Sequence, residues 1–358
     1  MMDGITQGHQ NSTRNTISRT GETSATRGKH GWRRWMRYVA LGAGALVVTL
    51  VSTTLLAGAV AKARLKAAHP PIGQMVDVGG YRMHITCQGS GNPTVILEAG
   101  AGSFDLHWTR VQPEVAKTAR VCAYDRAGYG WSDRSPKPRT AGVMAEELAT
   151  LLTRANIAGP YVLVGHSLGG PIIRQFAAAH PQEVVGMVLV DSAHEAQVEH
   201  FPEPIRNAQA SMSRPMRLMK LAAGAGILAL RPSILAVPLP GDAAVTAQAL
   251  MASGSNHITT LLDETDAAAQ GDTPPVPTLG DIPLVVIRHG RSDVPTRGAV
   301  THEVVEEYEA TWVRLQTELA ALSPQAKLLV AEQSGHDIHL EQPELVIDAI
   351  NEVRVAGQ

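Results

Sequence analysis

The sequence contains little cysteine and little net charge. Two cysteines, Cys87 and Cys122, occur among 358 residues, which excludes a disulfide-dense scaffold and a zinc site built from four cysteines. The formal net charge of -2 gives no general attraction to nucleic acid or to anionic surfaces. A polyanionic partner would need a local basic patch, so we expect no nucleic-acid partner.

Charge is also absent from one long segment near the N-terminus. Tyr38 to Ala61 contains no Asp, Glu, Lys or Arg and is long enough to cross a bilayer as a helix. A buried core helix is the alternative, but such a helix normally carries a polar stripe. We therefore predict a transmembrane helix or signal anchor over 38–61, a disordered basic tail over 1–37 and a linker over 62–75.

Basic residues flank this apolar segment unequally. Their heavier share on the N-terminal side favours a cytoplasmic tail and a folded domain outside the cytoplasm. The length of the segment favours a tether over release by cleavage within the small-residue stretch Ala57–Ala63. The pair Arg33–Arg34 also permits twin-arginine export. The flanking basic residues are Arg27, Lys29, Arg33, Arg34 and Arg37 before the segment, and Lys62, Arg64 and Lys66 after it.

Strand-like and helix-like segments alternate after the linker, which predicts an α/β fold with a mostly parallel sheet covered by helices. Residues 194–280 interrupt this alternation with methionines, an Ala/Leu-rich stretch and prolines, and we predict that they form an inserted helical cap. The core is then 76–193 together with 281–358. The predicted strands are Tyr81–Cys87, Thr94–Glu98, Arg120–Tyr124, Tyr161–Val164, Val184–Val190, Leu284–Ile287 and Lys327–Ala331.

A serine lies in the pattern Gly165-His166-Ser167-Leu168-Gly169. A serine hydroxyl becomes an effective nucleophile only when a base takes its proton, and it must stand clear of the backbone. Gly-x-Ser-x-Gly provides a tight strand-to-helix turn that does this. An apolar strand, Val162–Val164, leads into the pattern, and a plausible helix, Gly170–Ala177, leads out of it. These flanks favour a nucleophile at Ser167 over an ordinary glycine turn.

With these features the sequence resembles the α/β-hydrolase superfamily, in the branch that carries a cap, from about Tyr81 to Val353. A second motif, Tyr124–Ser132, looks like the family's Asp-Arg-x-Gly-x-Gly-x-Ser loop. The resemblance implies a sheet of the eight-stranded type flanked by helices, with Ser167 as nucleophile. Asp125 and Arg126 are interpreted as turn and ion-pair residues, because that loop is structural in the family.

The resemblance also indicates the base and the acid. His336 follows the last predicted strand and precedes a helix that begins at Pro343, which is where the family carries its base; His339 is the nearest rival. Asp293, just beyond the strand that ends at Ile287, resembles the family's acid and is predicted to orient the imidazole. Asp191 is the alternative acid, because some relatives place it at the end of the preceding strand.

The oxyanion donors are predicted to be two backbone amides. Leu168, directly after the nucleophile, supplies the first, and Ala101 in the loop Glu98–Ser103 supplies the second. This loop has Ala99-Gly100 where the family frequently has His-Gly. The resemblance further makes the strands of Cys87 and Cys122 neighbours, so the two residues either form a disulfide, which would suit an oxidising compartment, or remain buried thiols.

The leading functional hypothesis is hydrolysis of a carboxylic ester or related acyl substrate through an acyl-enzyme, with no metal and no organic cofactor. The substrate is a small molecule, and the apolar cap suggests a hydrophobic acyl group. A serine at the elbow, in place of aspartate, argues against dehalogenase and epoxide-hydrolase chemistry. The alternatives are a membrane-tethered acyltransferase, a lactonase and a ligand-binding protein that keeps the fold without turnover.

Overall fold

The computed structural model describes residues 25–357, with side chains from Gly31 onward. The described residues divide into two units, one ending at Thr54 and the other beginning at Leu55. Helix α1, Ala25–Ala68, is long and apolar enough over 31–68 to cross a bilayer. The predicted tail extends too far, because 25–37 is helical; its first 24 residues lie outside the described residues. The predicted linker is also wrong at both ends, since α1 continues to Ala68 and a strand begins at Gln74.

Eight strands form one sheet in the order β1-β2-β4-β3-β5-β6-β7-β8. The first three in this order pair antiparallel, and every later pair is parallel, which confirms the predicted mostly parallel sheet. Of the strands between residues 25 and 357, only β1, a short antiparallel edge strand, was not predicted from the sequence. The strands are β1 Gln74–Asp77, β2 Arg82–Gln88, β3 Thr94–Glu98, β4 Val121–Tyr124, β5 Tyr161–His166, β6 Val184–Val190, β7 Leu284–His289 and β8 Ala326–Ala331.

Helices cover both faces of the sheet. The central strands β3, β4 and β5 are buried along their whole length, as expected for parallel strands covered on both sides. One hydrophobic layer contains α3 and α4, and the opposite layer contains α2 and α12. The helices of the core after α1 are α2 Gln112–Val115, α3 Ala141–Arg154, α4 Gly169–Ala179, α10 His302–Ala320, α11 Ile338–Glu341 and α12 Pro343–Ala356.

The residues between β6 and β7 form five helices and two short 3₁₀ helices. Their buried apolar side chains contribute to three small clusters, two of which also contain residues outside these helices. The third packs α7 against α9 through Ala223, Ile258 and Leu262. We call residues 194–280 the cap. Its helices are α5 Gln197–His200, α6 Glu203–Ser211, α7 Ser213–Gly224, α8 Gly241–Ala252 and α9 Asn256–Ala269, with 3₁₀ helices at Leu228–Leu230 and Pro232–Ile234.

Cys87 on β2 and Cys122 on β4 lie directly opposite each other across an antiparallel pair. Their Cα atoms are 4.1 Å apart, and a disulfide bond joins the two residues. The bond therefore links the antiparallel edge of the sheet to its parallel part.

Candidate active site

The carboxyl ends of the parallel strands meet at one edge of the sheet, where ligands bind in folds of this kind. Ser167 follows β5 there, with a backbone φ of 50°, in the left-handed region. A side chain at Gly165 would lie 2.8 Å from the backbone of Gly169, and one at Gly169 would lie 2.5 Å from the Glu98 carbonyl oxygen. Only glycines allow this approach, so the sharp turn explains why the pattern has a glycine on each side of the serine.

The loop after β3 lies against the serine. A Cβ atom at Gly100 would be 3.1 Å from the Cβ of Ser167, so the loop that contains Ala101 reaches Ser167. Leu168 follows Ser167 directly at the start of α4. Within the described part of the chain, no hydrogen bond involves the amide of either Ala101 or Leu168, so both N–H groups are free to donate to a ligand.

The fully buried side chain of Arg126 holds this loop in place. Its Nη1 donates to the Ala99 carbonyl oxygen at 2.5 Å, and its Nη2 donates to the Gly100 carbonyl oxygen at 2.8 Å. The same guanidinium pairs with Glu98 at 2.7 Å and with Glu264 of α9 at 2.9 Å. The ion-pair role expected of Arg126 thus connects the cap to the loop beside Ser167.

His336 follows β8, and its imidazole reaches the carboxylate of Asp191 at the end of β6. The Nδ1 atom of His336 lies 2.6 Å from Oδ2 of Asp191. Burial lowers the pKa of His336, but the hydrogen bond to Asp191 outweighs that effect and raises it above its usual value. A φ of 41° at Asp191 turns its side chain toward the histidine.

Asp293, predicted as the acid, has a different contact. Its Oδ2 accepts a hydrogen bond from the backbone N–H of His336 at 2.7 Å, and it packs tightly against Gly335. The carboxylate therefore fixes the loop that carries His336, while Asp191 occupies the Nδ1 position. Of the two candidate acids, Asp191 contacts the imidazole ring, whereas the loop after β7 places Asp293 at the backbone of His336.

Two residues that the sequence did not indicate contact Asp191, and a third contacts one of these two. The indole Nε1 of Trp312 donates to Oδ1 of Asp191 at 2.8 Å. His289, the last residue of β7, places Nδ1 2.8 Å from Oδ2 of Asp191 and Nε2 2.8 Å from Oε2 of Glu309. Each nitrogen of His289 faces a carboxylate, so both must carry protons. Burial lowers the pKa of His289, yet these two hydrogen bonds raise it to about 10.

A cavity of about 270 Å³ opens over the serine and is lined by both Ser167 and His336. The loop after β3 lines one side of it. The cap contributes Ala236, Val237, Pro238 and Met251, and the methionines at the start of the cap are not among the lining residues. The site can therefore hold a small ligand with its reacting group beside Ser167.

His166, the residue before Ser167, is buried and uncharged. Its Nε2–H donates to the His336 carbonyl oxygen at 3.0 Å, and burial together with the neighbouring His336 lowers its pKa to about 3. The His339 ring packs against the His166 ring at a tilt of 47°, with the ring centroids 4.3 Å apart. His336 lines the cavity over Ser167, and His339 is not among the lining residues.

Among the residues that the structure describes, two groups of side chains have potential metal-ligand atoms within 4.8 Å of one another. One is His166, Asp337 and His339, beside the cavity. The other is His84, Asp105 and Asp125, where Asp125 already accepts hydrogen bonds from two backbone amides. The buried second group thus has a structural use in the Asp125 loop.

Residues 92–227 match the family model described as the alpha/beta hydrolase fold. Uncharacterized protein YqjL from Bacillus subtilis is 27% identical over 75% of this chain and 87% of its own length. An uncharacterized vacuolar membrane protein from Saccharomyces cerevisiae, YNL115C, is 35% identical over 32% of this chain. The chain spans only 21% of the length of that protein.

A solved structure of a thermophilic esterase from Thermogutta terrifontis shares the fold. It superimposes with a TM-score of 0.53 at 21% sequence identity, over 78% of this chain and 98% of the esterase. At this identity the likeness concerns the fold alone.

Proposed function

Because the chain belongs to the α/β-hydrolase superfamily, we propose that it is a serine hydrolase that cleaves a carboxylic ester or related acyl substrate. One observation carries this proposal. Ser167 stands on a strained strand-to-helix turn and shares a cavity with His336, whose Nδ1 is hydrogen-bonded to Asp191. A nucleophile, a base and a carboxylate that orients the base are the parts that acyl transfer requires.

In the proposed reaction the Ser167 oxygen attacks the acyl carbon as its proton passes to Nε2 of His336. The hydrogen bond to Asp191 keeps the other proton on Nδ1, so Nε2 is the basic nitrogen, and it stabilises the imidazolium that forms. The amides of Leu168 and Ala101 would donate to the oxyanion. His336 then gives its proton to the leaving alcohol, and water attacks the acyl-enzyme in a second step that regenerates the serine.

We also propose that α1 anchors the enzyme in a membrane. Apolar side chains such as Leu46, Val48 and Leu50 are exposed on this helix, at 71%, 65% and 66%. Such exposure is costly in water and favourable in lipid. The basic flank before the helix favours a hydrolase domain outside the cytoplasm, and the disulfide suits that compartment.

A fluorophosphonate probe tests the serine mechanism directly. The full chain should be labelled, and Ser167→Ala should remove both the label and ester hydrolysis, with a loss of about 10⁴-fold or more in kcat. Ser103→Ala, in the same cavity wall, is the matched control and should keep labelling. Folded wild-type protein that stays unlabelled would favour a ligand-binding protein without turnover.

Product analysis distinguishes hydrolysis from the other acyl-transfer reactions. With an ester substrate and added alcohols, free acid as the main product supports the hydrolase. A dominant new ester would instead make the protein an acyltransferase. Faster turnover of lactones than of open esters would make it a lactonase.

A further inference from the structure

One segment of the cap carries only basic charges. Residues 212–234, here called the cap surface, contain four basic residues and no acidic one, whereas the whole chain has a net charge of -2. The basic residues are Arg214, Arg217, Lys220 and Arg231. This is a local basic patch of the kind that an anionic partner requires.

The same segment exposes large apolar side chains. Leu218 and Leu221 of α7 are each 69% exposed and Ile234 is 68% exposed. On another side of α7, Ala223 is buried and packs against α9, with Met216 partly buried beside it. A helix with one packed face and one face of leucines and basic residues is typical of protein segments that lie in a membrane interface.

The end of α1 contacts this surface within the unit that begins at Leu55. Gly58, inside the predicted transmembrane segment, packs so closely on Gly226 that a side chain at Gly58 would lie 2.9 Å from the Cα of Gly226. Four residues later, Nζ of Lys62 donates to the Gly224 carbonyl oxygen at 2.8 Å. The cap surface thus lies where the apolar segment of α1 ends.

The cap surface also leads directly into the cavity. After the 3₁₀ helix Pro232–Ile234 and one further residue, the chain continues as Ala236, Val237 and Pro238, which line the space over Ser167. Ile234 is therefore two residues from the first of the lining residues.

We propose that the cap surface binds the anionic lipid surface of the membrane that holds α1. The leucines and isoleucine enter the headgroup region, and the four basic side chains contact anionic headgroups. The cavity then opens beside the bilayer, so acyl substrates dissolved in lipid are favoured. This inference depends on the proposed anchoring by α1.

Fluorescence in proteoliposomes tests it with the full chain. Both native cysteines are in the disulfide, so a thiol-reactive NBD label attaches to a single introduced cysteine. Leu221→Cys and Ile234→Cys should give blue-shifted NBD emission that nitroxide-labelled lipids quench. Glu306, which is exposed on α10, provides the matched control. A label on Glu306→Cys should show the unshifted NBD emission of a water-exposed site and no quenching by lipid.

Vesicle composition and charge variants complete the test. Quenching should be stronger in phosphatidylcholine with phosphatidylglycerol than in phosphatidylcholine alone, and Arg214→Gln with Arg217→Gln should remove the difference. Equal quenching in the two vesicles would overturn the role of anionic lipid. If the emission and quenching of the labels at positions 221 and 234 equalled those of the Glu306→Cys control, lipid contact by the cap surface would be ruled out.

Two controls distinguish a failure of this inference from a failure of the proposed anchor or of the proposed serine hydrolase activity. Flotation of the full chain with vesicles and its resistance to alkaline extraction report the anchor. Fluorophosphonate labelling reports the active serine. If both hold and the cap labels remain in water, the inference alone is wrong.

Discussion

One carboxylate oxygen of Asp191 lies 2.8 Å from Nδ1 of His289 and 2.6 Å from Nδ1 of His336. Two histidines therefore share a single acid. Burial raises the pKa of Asp191, but the hydrogen bonds from His289 and His336 outweigh it and hold this pKa well below its usual value. The carboxylate stays ionised throughout the pH range in which His336 can act as a base.

Asp191 and Asp293 can be distinguished by neutral variants. Asp191→Asn should lower kcat on the order of 10³–10⁴-fold, because the wrong imidazole tautomer is then favoured. Asp293→Asn keeps an oxygen that can accept a hydrogen bond from the His336 amide. This variant should lower kcat by less than about 10-fold, which is the most that losing one neutral hydrogen bond would cost. The measurement is steady-state ester hydrolysis. A larger loss in Asp293→Asn than in Asp191→Asn would restore Asp293 as the acid.

His289→Gln should shift the pH profile of kcat/KM. A general base must be neutral, and the raised pKa of His336 places the acid limb of the wild-type profile above the usual histidine value of 6.5. The charged His289 lowers the pKa of His336, so a neutral glutamine should move this limb to higher pH. The readout is the midpoint of the limb, not the rate alone. A lower rate with an unmoved midpoint would show that His289 is only structural.

The sequence alone could not decide which aspartate contacts the His336 ring. Asp191 and Asp293 both follow buried strands, β6 and β7, that lie side by side in the sheet. Only the direction of each side chain decides between them, and that direction depends on a positive φ at Asp191. Sequence pattern carries no signal for this turn, because a non-glycine residue there is uncommon.

Local features were easier to predict than distant contacts. The elbow and the mostly parallel sheet follow from patterns contained in short segments, and the observed fold confirms the predicted one. Trp312 reaches Asp191 from α10, more than a hundred residues further along the chain, and Glu309 of the same helix reaches His289. In the sequence these residues belong to an ordinary amphipathic helix, and only the folded structure shows that they lie at the site.

Arg126→Lys should destabilise the protein and slow the reaction. A single ammonium cannot replace the forked contacts of the guanidinium, so Glu98 or Glu264 loses a buried partner. We expect a loss of about 3–5 kcal/mol in the free energy of unfolding, measured by chemical denaturation. Arg134→Lys is the control, because its ion pair with Asp263 is exposed and worth under about 1 kcal/mol. Equal effects of the two variants would contradict the role given to Arg126.

Removing the disulfide should weaken the fold without changing the chemistry. Cys87 and Cys122 are separated by 35 residues, and closing a loop of that length stabilises a protein by about 2–4 kcal/mol. Cys87→Ala with Cys122→Ala should therefore lower the free energy of unfolding by that amount while kcat stays within about 2-fold, since neither residue lines the cavity over Ser167. Reduced wild-type protein is the control and should unfold at the same denaturant concentration as the variant. Two free thiols in wild-type protein unfolded without reductant, after purification from an exported fraction, would contradict both the bond and the oxidising compartment that it supports.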